Sequence, residues 1–203
     1  MRIMILILLF ASFCFAQNQI ATTESGKKVV LKADGTWEYE KPKEKVSETT
    51  GNCSEYIGNF TDRMTGSSAI TGKSRIVISS DGGKTGIALT TMLLGEIIAL
   101  NVTTVSGGCI DENTRVLILF EDGTKLNLKS SNKFNCKGDV TLFFGGQLGN
   151  TDALETIITK KVKAMRVNTL NSFVEQDFSE SDAKKLMNTF ICLKQASKNE
   201  KSK

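Results

Sequence analysis

The chain contains no histidine. That absence removes the ordinary Ser-His-Asp and Cys-His nucleophile arrangements, the HExxH zinc motif and the commonest zinc ligand. Tryptophan occurs once, at Trp37, and proline once, at Pro42. Neither sign of charge dominates: 26 basic residues against 22 acidic give a formal net charge of +4. Four lysines fall in the closing stretch KQASKNEKSK, so the body is close to neutral and gives little reason to expect nucleic acid. Long unbroken apolar runs are missing too. The run Ile3 to Phe10 is too short for an ordinary membrane span, and GIALTTMLLGEIIALNV is interrupted by Thr90, Thr91, Gly95, Glu96 and Asn101. Two neighbouring strands explain that stretch better than a span.

What is present begins with MRIMILILLFASFCFAQNQ: one positive charge at Arg2, a short apolar run, and small or apolar residues up to Ala16. This is the pattern of a secretory signal peptide over residues 1–16, cleaved before Gln17. Phe13 is bulky where a lipoprotein peptidase needs a small residue, so Cys14 is expected to leave with the signal peptide rather than carry a lipid. The remaining chain is long enough for one domain with a substantial core.

Residues 17–40 predict a small hairpin. Val29 and Leu31 alternate with polar residues, Asp34-Gly35 supplies a turn, and Trp37 and Tyr39 alternate on the return. Two strands are marginal alone, so the hairpin is expected to lie against the main domain or a partner. Residues 41–52 have charge, the single proline and no apolar rhythm, and read as a linker.

From Cys53 to residue 194 the reading is mainly β (α+β): an antiparallel sheet or sandwich-like core with a C-terminal amphipathic helix. SRIVISS, GIALTTML, IIALNVTTV, RVLILF, KLNLK, DVTLFF and VKAMRVNT are short, rich in branched or apolar residues, and separated by glycine or polar clusters. RVLILF is apolar on both faces and is expected at the centre of the sheet system. In FSESDAKKLMNTFICLKQ the positions Ala183, Leu186, Met187, Phe190 and Ile191 recur at helical spacing. Ser179 is placed to cap the first turn with Asp182 three residues on, and Phe178 stands before the cap. Residues 195–203 read as a basic tail.

The residues left after residue 16 include four cysteines, Cys53, Cys109, Cys136 and Cys192. An even number in an exported chain favours disulfides over metal or redox chemistry, and no CxxC spacing is present. A two-residue type I′ turn at Asp122-Gly123, continued without a bulge, sets Cys109 opposite Cys136. Cys53 then pairs with Cys192 by exclusion.

The stretch SGKKVVLKADGTWEYE resembles the N-terminal motif of small exported proteins from Bacteroidota, G-K-x-V-x-L-x-x-D-G-T-W-x-Y. Gly26, Lys27, Val29, Leu31, Asp34, Gly35, Thr36, Trp37 and Tyr39 occupy its positions. F-N-C-K-G at Phe134 to Gly138, and A-x-R-V-x-T from Ala164 to Thr169, also look like such proteins. The resemblance implies an exported compartment, periplasmic or extracellular, and no catalytic residue.

Trp37 and Tyr39 are the candidate contacts for a partner or a sugar, although same-face aromatics on a hairpin more often serve packing, which is the role expected of Trp37. Asp111, Glu112 and Asn113, and Asp81 beside Gly82-Gly83, offer oxygens without calcium-loop spacing and read as turns. GGKTG at 82–86 lacks the full phosphate-loop motif. Arg115, Lys125 and Arg166 read as charges that solvate sheet edges. The function these features favour is a non-enzymatic exported binding or envelope-interaction module that meets an envelope protein or glycan, with no cofactor, no metal, no nucleic acid and no transmembrane segment after cleavage. The alternative is a hydrolase acting on an envelope polymer or glycan through Asp or Glu residues, a chemistry set by carboxylate separation in space.

Overall fold

A computed structural model describes residues 19–23, 28–32, 35–39, 52–147 and 149–200. The expected signal peptide, Asp34, residues 41–51 of the expected linker, and residues 201–203 lie outside the described residues. The chain divides into two compact units, Met1–Glu44 and Lys45–Lys203.

The first unit is an antiparallel sheet of three strands, β1 (Gln19–Thr22), β2 (Lys28–Leu31) and β3 (Trp37–Tyr39), in that order. The expected hairpin is β2 with β3, where Leu31 faces Trp37 and Val29 faces Tyr39. Gly35 takes φ +81°, a conformation that favours glycine, and its N–H donates to the Lys32 carbonyl at 3.1 Å. The two-stranded reading missed β1, whose Ile20 pairs with Val30. QIAT carries no apolar alternation, and its ladder to β2 supplies the order that its side chains do not signal.

The second unit opens with a 3-10 turn at Cys53–Glu55 and continues through β4 (Ile57–Thr61), β5 (Ser68–Gly72), β6 (Ile76–Ser80), β7 (Thr85–Leu94), β8 (Ile97–Val105), β9 (Arg115–Phe120), β10 (Lys125–Lys129) and β11 (Asp139–Phe144). Helix α1 (Thr151–Thr159), β12 (Val162–Asn168), β13 (Phe173–Asp177) and helix α2 (Glu180–Glu200) complete it. The strands form two antiparallel sheets. One has six strands in the order β11-β8-β7-β5-β4, with β6 pairing the N-terminal half of the long β7; the other has the order β10-β9-β12-β13.

Alternation along the strands makes the core. Leu89 of β7 faces Val102 of β8, and Val102 faces Val140 of β11, so Ile87, Leu89, Leu93, Ile98, Leu100, Val102, Val140, Leu142 and Phe144 share one face, all buried. Val116, Ile118, Phe120, Met165, Val167 and Val174 of the four-stranded sheet join the same cluster, and Gln176 Nε2 donates to Ser80 Oγ at 3.1 Å across it. Helix α2 contributes Leu186, Phe190, Ile191 and Leu193. The chain is therefore mainly β, and its second unit is two antiparallel sheets with a C-terminal helix closing part of one face.

The start of α2 follows the expected capping. Asp182 N–H donates to Ser179 Oγ at 3.1 Å, and Ser179 Oγ donates to Asp182 Oδ2 at 2.6 Å. The helix runs on to Glu200, into the stretch expected as tail, because Ala196 still packs against the core. Helix α1 was not expected. Asn150 caps it by accepting from Ala153 N–H at 2.8 Å, and Ala153, Leu154, Ile157 and Ile158 form its buried face.

Both disulfides are present, Cys53 to Cys192 and Cys109 to Cys136. The register expected for the second was off by one. Asp122 does not have the positive φ that a type I′ turn requires, and only Gly123, at +81°, does. The turn is a three-residue loop closed between Phe120 and Thr124, and Lys125 faces Leu119 rather than Phe120. Asp122 Oδ1 favours this form by accepting from Thr124 N–H at 2.9 Å and Thr124 Oγ1 at 2.6 Å. Beyond the strands, the turn at Asp111 to Thr114 and the loop opposite it move the pairing back by one. Ile110 and Asn135 then exchange both backbone hydrogen bonds, and Cys109 and Cys136 fall next to them as a non-hydrogen-bonded pair.

Gly138 gives a direct test of this region. Its φ is +70°, and a Cβ there would collide with the Thr104 side chain. Gly138→Ala is expected to cost more than about 1 kcal/mol in urea denaturation; an unchanged midpoint would contradict that packing.

Candidate binding surface

β9 is an interior strand of the four-stranded sheet, flanked by β10 and β12. Only one of its faces enters the core: Val116, Ile118 and Phe120 are fully buried, whereas Leu117 and Leu119 are only partly covered. RVLILF, expected at the centre of the sheet system, is interior to its sheet, but its second apolar face is left partly open. Leu117 and Leu119 instead form the floor of a concavity of about 200 Å³ on the outer face, walled by Lys125, Ala164, Arg166 and Glu175.

Register assembles the walls. Leu117 faces Arg166 of β12, and Arg166 faces Glu175 of β13. Arg166 Nε donates to Glu175 Oε2 at 2.5 Å, and its guanidinium lies 4.3 Å from the centre of the Phe173 ring. Held by a carboxylate and an aromatic face at once, the guanidinium loses little further freedom on meeting a ligand. Phe173 is 54% exposed. The result is an apolar floor with a fixed cation, an anion and an open ring around it.

The hairpin that carries this floor is tied down at its tip. Lys160 Nζ donates to Asp122 Oδ2 at 2.6 Å, and this bond, with those from Thr124, lowers the Asp122 pKa to about 2. Backbone donors Thr65 and Met64 lower Asp62, and the bond to Glu180 raises Lys161. Each of these shifts holds a group in its usual ionised form, which suits anchors of turns and ion pairs better than proton transfer near neutral pH. Because the folded pKa of Asp122 is depressed below 3.8, its contribution to stability is present above that value and is lost as pH falls toward 2. Asp122→Asn is therefore expected to lower the melting temperature at pH 7 and to have a much smaller effect near pH 2, where the folded-state carboxyl is already about half protonated; an equal difference at both would contradict the assignment.

Of the residues singled out in sequence, Trp37 is 57% exposed on β3, beside Leu31 at 39%. Tyr39 is placed by its backbone pairing with Val29. Asp111 Oδ1 accepts from Asn113 N–H at 2.9 Å and Asp81 has φ 52° ahead of two positive-φ glycines, so both shape turns. No cluster of three metal-ligating side chains occurs among the described residues. Arg166 does more than solvate an edge, since β12 is interior to its sheet. Leu117, Leu119, Phe173 and Glu175 were missed. The signal for the first two was six successive apolar-or-basic residues in a strand of which a two-layer fold buries one face.

Comparison of the chain with family models, with curated proteins and with solved structures gave no match.

Proposed function

We propose that the protein is a non-enzymatic, exported interaction module that meets an envelope protein or glycan through the outer face of its four-stranded sheet. The observation that carries this reading is the Leu117–Leu119 floor beside the preset Arg166, Phe173 and Glu175. Arginine and aromatic residues around a small apolar pocket are the usual anchors of binding energy. Trp37 and Tyr39 offer a second contact on the N-terminal sheet. The two disulfides indicate an oxidising, non-cytoplasmic environment, and no helix among the described residues is long and apolar enough to cross a membrane. The resemblance to exported Bacteroidota proteins supports placement in the periplasm or outside the cell.

The test is co-sedimentation with purified peptidoglycan, and cross-linking to envelope protein extracts, for the native chain and for Leu119→Asp. Leu119 is partly exposed, so the variant is expected to melt within a few degrees of the native chain and to lose retention by about tenfold or more. Unchanged retention would overturn the surface assignment. Release of reducing ends, abolished by replacing an Asp or Glu, would overturn the non-enzymatic reading in favour of the hydrolase.

A further inference from the structure

A second cavity, of about 330 Å³, lies where the edge strand β10 meets β11, the edge of the other sheet. Arg115, Asn127, Lys129, Ser131, Phe143 and Asn150 line it, and no carboxylate does. Arg115 and Lys129 face each other directly across β9 and β10. Like charges in that position destabilise a sheet. Neither residue makes an ion pair with a described residue, although four other cations of the unit do. Both side chains are exposed, so water screens part of the repulsion, and no described contact offsets the rest.

The neutral residues supply further donors. Asn150 Oδ1 is occupied as the acceptor that caps α1, which orients the amide so that Nδ2 is left to donate. Asn127 and Ser131 are exposed and add an amide and a hydroxyl. Two facing cations with three neutral donors match a compact group with several acceptor oxygens and a charge near −2, which an arginine fork and a lysine point charge bind together. A single carboxylate would leave one cation unmatched.

We propose that this cavity is a binding site for a phosphate monoester group. It stands on different residues from the apolar concavity and does not depend on the interaction role. The group can come from a soluble phosphorylated saccharide or from a lipid headgroup.

Isothermal titration of the full chain with inorganic phosphate and with glucose 6-phosphate, and flotation with phosphatidylcholine vesicles with and without phosphatidic acid, test the site and its source. Saturable binding of phosphate or the sugar phosphate is expected, weakened about tenfold by Arg115→Gln and again by Lys129→Gln, and by added salt. Tighter binding of the sugar phosphate than of the acidic vesicles identifies a soluble ester, and the reverse order identifies a headgroup. Without ligand, either variant is expected to hold or raise the melting temperature by about 1–3 °C, because it relieves the facing charges. Absence of saturable binding to all three phosphate probes, or binding that both variants leave unchanged, would overturn the proposal.

Discussion

Replacing Cys53 with Ser and Cys192 with Ala together is expected to lower the stability of the second unit by about 2–4 kcal/mol. This bond spans 139 residues, joining the turn that precedes β4 to the middle of the last helix. On the chain-entropy account it constrains the unfolded chain more than the bond from Cys109 to Cys136, which spans 27, by about 1.5 kcal/mol. Cys192 is almost fully buried, so opening the bond also removes the tether that holds α2 beside β4. Urea denaturation of both double variants, followed by helical circular dichroism under oxidising conditions, checks the order. A larger loss from the Cys109–Cys136 variant would mean that native-state strain or residual unfolded structure governs these bonds.

Phe190→Ala is expected to cost about 3–5 kcal/mol, the largest effect of any single replacement in the helix. The ring is fully buried and meets Phe144 of β11 edge to face, with centroids 5.0 Å apart and planes at 81°. Leu186, Leu193 and Ile157 belong to the same cluster, so the vacated volume lies between two helices and a sheet that cannot all move inward. Calorimetry should show a lower melting temperature with the two-state character kept. A loss below about 1 kcal/mol would contradict the placement of α2 on the core.

The long strands were legible because their residues combine branched side chains with clear boundaries. IIALNVTTV, RVLILF, KLNLK and DVTLFF begin and end where β8, β9, β10 and β11 do. β13 was not legible, since Phe173 to Asp177 carries Glu, Gln and Asp, and its strand form depends on the tight return at Thr169, whose N–H donates to the Ser172 carbonyl at 2.8 Å. β4 and β5 were hidden by glycine and short polar residues. Helix α1 has three threonines and two isoleucines in nine residues, a poor intrinsic helix, and its formation follows from the Asn150 cap and burial of one face.

The cysteine pairing was reached through a register that the structure corrects twice, by one residue in each direction. Sequence symmetry about Asp122-Gly123 located the partners, while the side chain of Asp122 decided the turn that the dipeptide alone left open. The candidate surface was legible only in part. Arg166 was visible as a strand cation, but its stacking on Phe173 needs β13, and β13 is set by pairing rather than by its own residues.

Site-specific photocross-linking in the native compartment tests the central claim most directly. A photoreactive phenylalanine analogue is placed at Leu119 in one variant and at Thr90 in another, Thr90 being exposed on the six-stranded sheet, on the face opposite its buried core residues. Discrete cross-linked products from position 119, and none from position 90, are the result the account predicts. Products from position 90 with none from position 119 would contradict it and move the interaction to the other sheet.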